Sequence, residues 1–149
     1  MTLTLQQPSS LRSYQLEKHY ESLFSAIINL LALPPTSHLD VWVTTNATIR
    51  QYNRQYRGKD MATDVLSFPQ FDHLPKGNGN VPIPLGQLII SYQKAIQQAK
   101  ALGHSELREF SFLFVHGVLH CVGFDHQTPE DEANMIALQD KILGKRVNV

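Results

Sequence analysis

The sequence predicts an α+β domain, a small mixed β-sheet covered by about five helices, with the chemistry placed on a buried central helix and the turn after it. Three observations lead there. Strand-like alternation and helical spacing are interspersed as far as Ser91, and three helical segments then follow in a row. The middle one, Glu106 to Val122, carries apolar side chains nearly all round, which suits a helix at the centre of a core. With 149 residues, one domain spanning 1–149 can bury such a core.

Taken in order, Thr2-Leu3-Thr4-Leu5 alternates like a strand and Pro8-Ser9-Ser10 breaks it. From Leu11 to Leu33, Leu16, Tyr20, Leu23, Ile27, Leu30 and Leu31 recur at helical spacing, and Pro34-Pro35 ends that helix because neither ring nitrogen can donate. Leu39, Val41 and Val43 alternate with Asp40, Trp42 and Thr44, the pattern of a half-buried strand. Asn46 is placed to cap a short helix that stops at Gly58. Asp64 to Phe68 reads as a strand ending at Pro69, Gln70 to Pro84 as an exposed loop, and Leu85 to Ser91 as a central strand. The last three helices run from Tyr92 to Leu102, Glu106 to Val122 and Pro129 to Leu143, each followed by glycine.

Composition narrows the function classes. Hydrophobic residues at 42% and charged residues at 17% fit a soluble globular protein rather than a disordered one. The 13 basic and 13 acidic side chains cancel, so nucleic-acid contact must rely on a local patch. The lone Cys121 excludes an intrachain disulfide. The N-terminal stretch lacks the basic start and apolar run of a secretory signal, and no segment approaches the roughly 18 to 20 apolar residues that span a bilayer. A cytoplasmic, soluble protein without membrane partners is the expectation.

The most informative stretch is HGVLHCVGFDH, His116 to His126. Residues four apart on a helix stand one turn above each other, so His116 and His120 can aim at one ion. Gly123 can end the helix and let the chain return His126 to the same point. Three imidazoles with an open fourth position form the ligand set of a catalytic zinc site, predicting one Zn2+ per chain. Core histidines with ordinary hydrogen bonds are the alternative, and the apolar surroundings make that costly. Cys121 points roughly 100° from His120 and does not complete a closed site. His19, His38, His73 and His104 lack such spacing and read as surface residues.

The spacing His-x-x-x-His-x-x-Gly-x-x-His is shared with metzincin proteases, which need a glutamate after the first histidine as general base. Gly117 stands there, which points away from ordinary proteolysis; Asp125 is the nearest carboxylate, and it could equally orient a ligand. A second constellation is Arg50, Arg54, Arg57 and Lys59, one positive helix face whose charge pattern alone reads as solvated.

Together the two constellations resemble the YbeY family of bacterial endoribonucleases and ribosomal-RNA maturation factors. The resemblance rests on HGVLHCVGFDH and on NRQYRGKDMATDVLSF from Asn53 to Phe68, with weaker matches in LGQLIIS from Leu85 to Ser91 and TPEDEANMIALQDKIL from Thr128 to Leu143. It implies an RNA substrate, with a role in small-subunit (16S) rRNA 3′-end processing and ribosome quality control. It places the zinc-binding histidines at His116, His120 and His126 and the functionally important arginine at Arg57. Gln87 departs from the family, which usually carries an acid there. Three function classes stay open: metal-dependent endoribonuclease, ribosome-assembly factor with a structural metal, and a peptidase using Asp125.

Overall fold

The computed structural model describes residues 1–75, 79–125 and 127–144. Four strands, β1 (Thr2–Gln6), β2 (Ser37–Thr44), β3 (Val65–Pro69) and β4 (Ile83–Ser91), form one sheet in the order β1-β2-β4-β3. β1, β2 and β4 are parallel, and β3 joins the edge antiparallel to β4. The helices are α1 (Leu16–Leu31), α2 (Asn46–Arg57), α3 (Tyr92–Leu102), α4 (Glu106–Cys121) and α5 (Pro129–Leu143), preceded by a 3-10 turn at Ser9–Tyr14. The expected α+β class, with a mixed sheet and helical cover, is what the chain adopts.

α4 crosses one face of the sheet and packs against α1, α3 and α5 as well. Phe110, Leu113, Phe114, Val115, Val118 and Leu119 are buried, each contributing about 1.5–3 kcal/mol when an apolar side chain of this size is fully removed from water. Tyr20 of α1 stacks on Phe114 with centroids 4.2 Å apart and donates its hydroxyl to the Phe110 carbonyl at 3.0 Å. On the opposite sheet face α2 lays Ile49 onto Leu66 and Ile89, with Trp42, Tyr52 and Phe68 around them.

Several element ends differ from expectation. The long N-terminal helix is broken at Gln15, whose φ of 54° separates the 3-10 turn from α1. α1 stops at Leu31, before the prolines, with Ala32 at φ 52° capping it. Thr45 rather than Asn46 caps α2, its Oγ1 accepting from the Thr48 N–H at 3.3 Å. β4 starts at Ile83 and takes in Pro84, two residues that read as loop. The register shifts there: His38 pairs Pro84 and Leu39 pairs Gly86, so Leu85 bulges. Gly86 has φ +153° and a side-chain carbon on it would meet the Phe68 carbonyl oxygen at 2.4 Å, so no other residue fits.

Candidate active-site cleft

One cleft of about 670 Å³ is lined by Tyr56 and Arg57 of α2, by residues 63–69, and by His116 and His120 of α4. α2 and α4 lie on opposite faces of the sheet. The consecutive residues 63–69 include side chains directed to both faces, so the cleft runs along the free edge of β3. An edge strand is what allows elements from two faces to reach one space.

Each wall is fixed locally. Gly58, at φ 69°, closes α2 with its N–H on the Arg54 carbonyl at 3.1 Å, and Lys59 N–H reaches the Asn53 carbonyl at 3.3 Å. The buried Asn53 side chain donates to Met61 O at 2.9 Å and pins the chain after the cap. Asp64 accepts from the Val65 N–H at 2.7 Å and from the Gln98 amide at 3.3 Å, which ties the start of β3 to α3. Ser67 donates to the Gly117 carbonyl at 3.1 Å, joining β3 to α4 across the cleft floor.

The Nε2 atoms of His116 and His120 lie 3.1 Å apart, with ring centroids at 4.6 Å. Two imidazole nitrogens sharing one tetrahedral zinc at 2.0–2.1 Å would stand about 3.4 Å apart, so the pair fits a common ion with a small adjustment. Gln139 of α5, a buried amide, places Oε1 3.1 Å from His116 Nδ1. With the proton on Nδ1, it is the Nε2 lone pair that would bind a metal. His126 lies outside the described residues, and among the described ones no group of three metal-ligating side chains occurs.

α4 is not buried all round, contrary to expectation. Phe112 is exposed and stacked on His116 with centroids 6.0 Å apart, while His116 and His120 are half-buried. This i, i+4, i+8 stripe opens the middle and C-terminal part of the helix to solvent.

The arginine cluster also divides. Arg50 is bound to Asp60 at 2.8 and 3.2 Å, and this pairing holds the Asp60 carboxyl below the usual range. Arg57 lines the cleft and has no ion-pair partner among the described residues. Gln87 sits on the α2 face of β4, in a separate depression with Asp40 and Trp42, away from the histidines. Gly117 faces the sheet: a side-chain carbon there would stand 2.8 Å from Leu88 Cδ2, so a larger residue would have to displace Leu88. Asp125 is exposed and does not line the cleft.

Of the four other histidines, only His73 is exposed. His104 holds the buried Glu109 at 2.7 Å, and His38 bridges Thr2 and Asp40 at 2.6 and 3.0 Å. Sequence reasoning missed Gln139 and Tyr56. Gln139 could have been found as the polar residue in the apolar series Met135, Gln139, Ile142 and Leu143. Tyr56 carried no signal beyond its place beside Arg57.

The fold and the cleft define an α+β protein with a guanidinium and an imidazole pair lining one cleft at a sheet edge. The chain belongs to the endoribonuclease YbeY family, whose model matches residues 3–146. Relatives described as endoribonuclease YbeY include one from Enterococcus faecalis, 42% identical over 85% of each chain. Another, from Symbiobacterium thermophilum, is 46% identical over 71% of this chain and 69% of its own. A solution structure from Thermotoga maritima shares the fold, with a TM-score of 0.61 over 97% of this chain and 91% of that one at 20% identity.

Proposed function

We propose that the chain is a zinc-dependent endoribonuclease of single-stranded RNA, with one ion held by His116, His120 and His126. Its role would be in small-subunit (16S) rRNA 3′-end maturation and ribosome quality control in the cytoplasm. The observation that carries the enzymatic part is the meeting of Arg57 with His116 and His120 in one cleft of an endoribonuclease-family chain.

A bound zinc ion supplies a Lewis acid beside the phosphodiester. Arg57 contributes a planar fork that binds two phosphoryl oxygens and stabilises charge developing on them. Its lack of an ion-pair partner among the described residues leaves that fork available. Gln139 holds the His116 ring so that Nε2 faces the cleft. The polar edge of β3 offers further contacts to the backbone of an RNA strand.

A ribosome-assembly factor with a structural metal is favoured by one observation. Asp64 is the one carboxylate among the described residues that line the cleft, and both its oxygens accept hydrogen bonds, so it is not free as a base. Peptidase chemistry has no support, because glycine stands where a metzincin has its glutamate and Asp125 is not among the residues that line the cleft. Metal content and cleavage of a defined RNA, measured on wild type and Arg57→Lys, separate the first two. An enzyme keeps its zinc and loses its rate on substitution; a structural metal in an inactive wild type contradicts the proposal.

A further inference from the structure

Tyr56 has an environment that packing does not account for. Tyr52 and Trp42 belong to the small core around Ile49, Leu66 and Ile89, yet Tyr56, one turn beyond Tyr52, stays 59% exposed. Its ring is nonetheless held. Tyr52 lies nearly parallel to it, 8° between planes with centroids 6.1 Å apart, and Phe68 meets it edge-on at 5.4 Å and 74°. Trp42 in turn supports Tyr52 edge-on at 5.8 Å. The result is a braced aromatic surface that lines the same cleft as Arg57, His116 and His120.

From this we infer that Tyr56 is a base-stacking subsite, which takes the unpaired nucleobase of the nucleotide adjoining the phosphate bound by Arg57. The inference rests on the RNA-cleaving function proposed above. Tyr56 and Arg57 are consecutive residues at the end of one helix, fixed together by the Gly58 cap. A nucleotide likewise joins its phosphate to its base through one sugar, so a phosphate on the guanidinium brings an attached base beside the ring. A polar cleft edge with one exposed aromatic matches a nucleotide better than an apolar protein segment. Stacking needs an open base face, which an unpaired strand has and a duplex does not. Because every base has a π-face, the subsite selects single-stranded RNA without selecting sequence.

The test is steady-state cleavage of a short single-stranded oligoribonucleotide of mixed sequence, alongside a series in which one position at a time is abasic. Tyr56→Leu should raise KM by about 5- to 100-fold, the range that loss of one stacked base gives, with kcat little changed. Tyr56→Phe and Tyr56→Trp should restore the wild-type KM, which a hydroxyl contact would not allow. In wild type, base removal at one position beside the cut should raise KM similarly, and Tyr56→Leu should add nothing at that position. An unchanged KM in Tyr56→Leu overturns the inference, as does an equal further loss at every abasic position. The abasic series on wild type stands by itself should Tyr56→Leu fold poorly; no sensitive position would again overturn it. A wild type that cleaves no RNA contradicts the nuclease function instead, and anisotropy with the same RNAs then decides the stacking subsite.

Discussion

Arg50 and Arg57 stand two turns apart on α2 and have opposite surroundings. The first is held by both oxygens of Asp60, and the second faces a cleft that also receives two imidazoles. A lysine at 57 keeps the charge but loses the planar fork that matches two phosphoryl oxygens. Arg57→Lys should therefore lower the cleavage rate by about 100-fold, the scale of removing one preorganised charge stabiliser, with zinc content and Tm unchanged. Arg50→Lys should cleave at close to the wild-type rate, since an exposed pair of this kind contributes little. Equal effects of the two substitutions in a single-turnover assay would return Arg57 to a solvated helix face. Cys121 gives a second residue-scale expectation. It is buried behind the cleft beside Gly86, and burial pushes its thiol up to about 12 from an ordinary 9.0, partly offset by a backbone hydrogen bond at Phe68. Native protein at neutral pH should thus react with iodoacetamide only as fast as it unfolds. Because the folded value is raised, stability is fully present below pH 9 and falls as pH climbs towards 12, where the unfolded chain ionises first. Fast alkylation of the native protein at neutral pH would show the thiol is accessible.

Among the elements, α4 and α5 act together. Gln139 brings an amide from α5 to the back of His116, so the docking of α5 sets which imidazole nitrogen is turned toward His120, where a shared metal would meet it. Gln139→Leu should weaken zinc binding by about 10- to 100-fold, as loss of a ligand's outer hydrogen bond commonly does, and Gln139→Glu should retain it. Competition with a chromophoric chelator reads this directly, and equal affinities in the three proteins would show that α5 only packs. Most elements were legible from periodicity, because burial on one face imposes it: α1, β2, α3, α4 and α5 all follow from their apolar spacing. Their ends were less so. The break at Gln15 rests on a left-handed residue that is not glycine, and no local pattern marks it. The start of β4 was hidden by Pro84, which here pairs with His38 just before the bulge instead of closing a loop. For the cleft, helical spacing paired His116 with His120, but the apolar count around α4 concealed that Phe112, His116 and His120 form an open stripe. The meeting of α2 with α4 at the β3 edge depends on strand order, which no local pattern contains.

On the scale of the whole molecule, a neutral chain must handle a polyanion through a local site. The cleft supplies one guanidinium and two imidazoles at the edge of a single sheet, and His126 is proposed to complete the metal set from the turn after α4. A metal that binds only the folded chain stabilises it by mass action, about 2.7 kcal/mol at a hundredfold excess over Kd. For a chain of this size that raises Tm by about 5–10 °C. His120→Ala should abolish the increase, and a mutant that still gains as much as wild type in a zinc titration would show that the ion sits elsewhere. If this cleft cleaves RNA with a bound metal, stripping the ion should silence it and restoring the ion should revive it. A defined single-stranded RNA is incubated with purified protein, with protein stripped by chelator, and with stripped protein given zinc. The expected result is cleavage, its loss, and its return at the same phosphodiester positions; cleavage that persists undiminished after the metal is removed would rule out a metal-dependent nuclease.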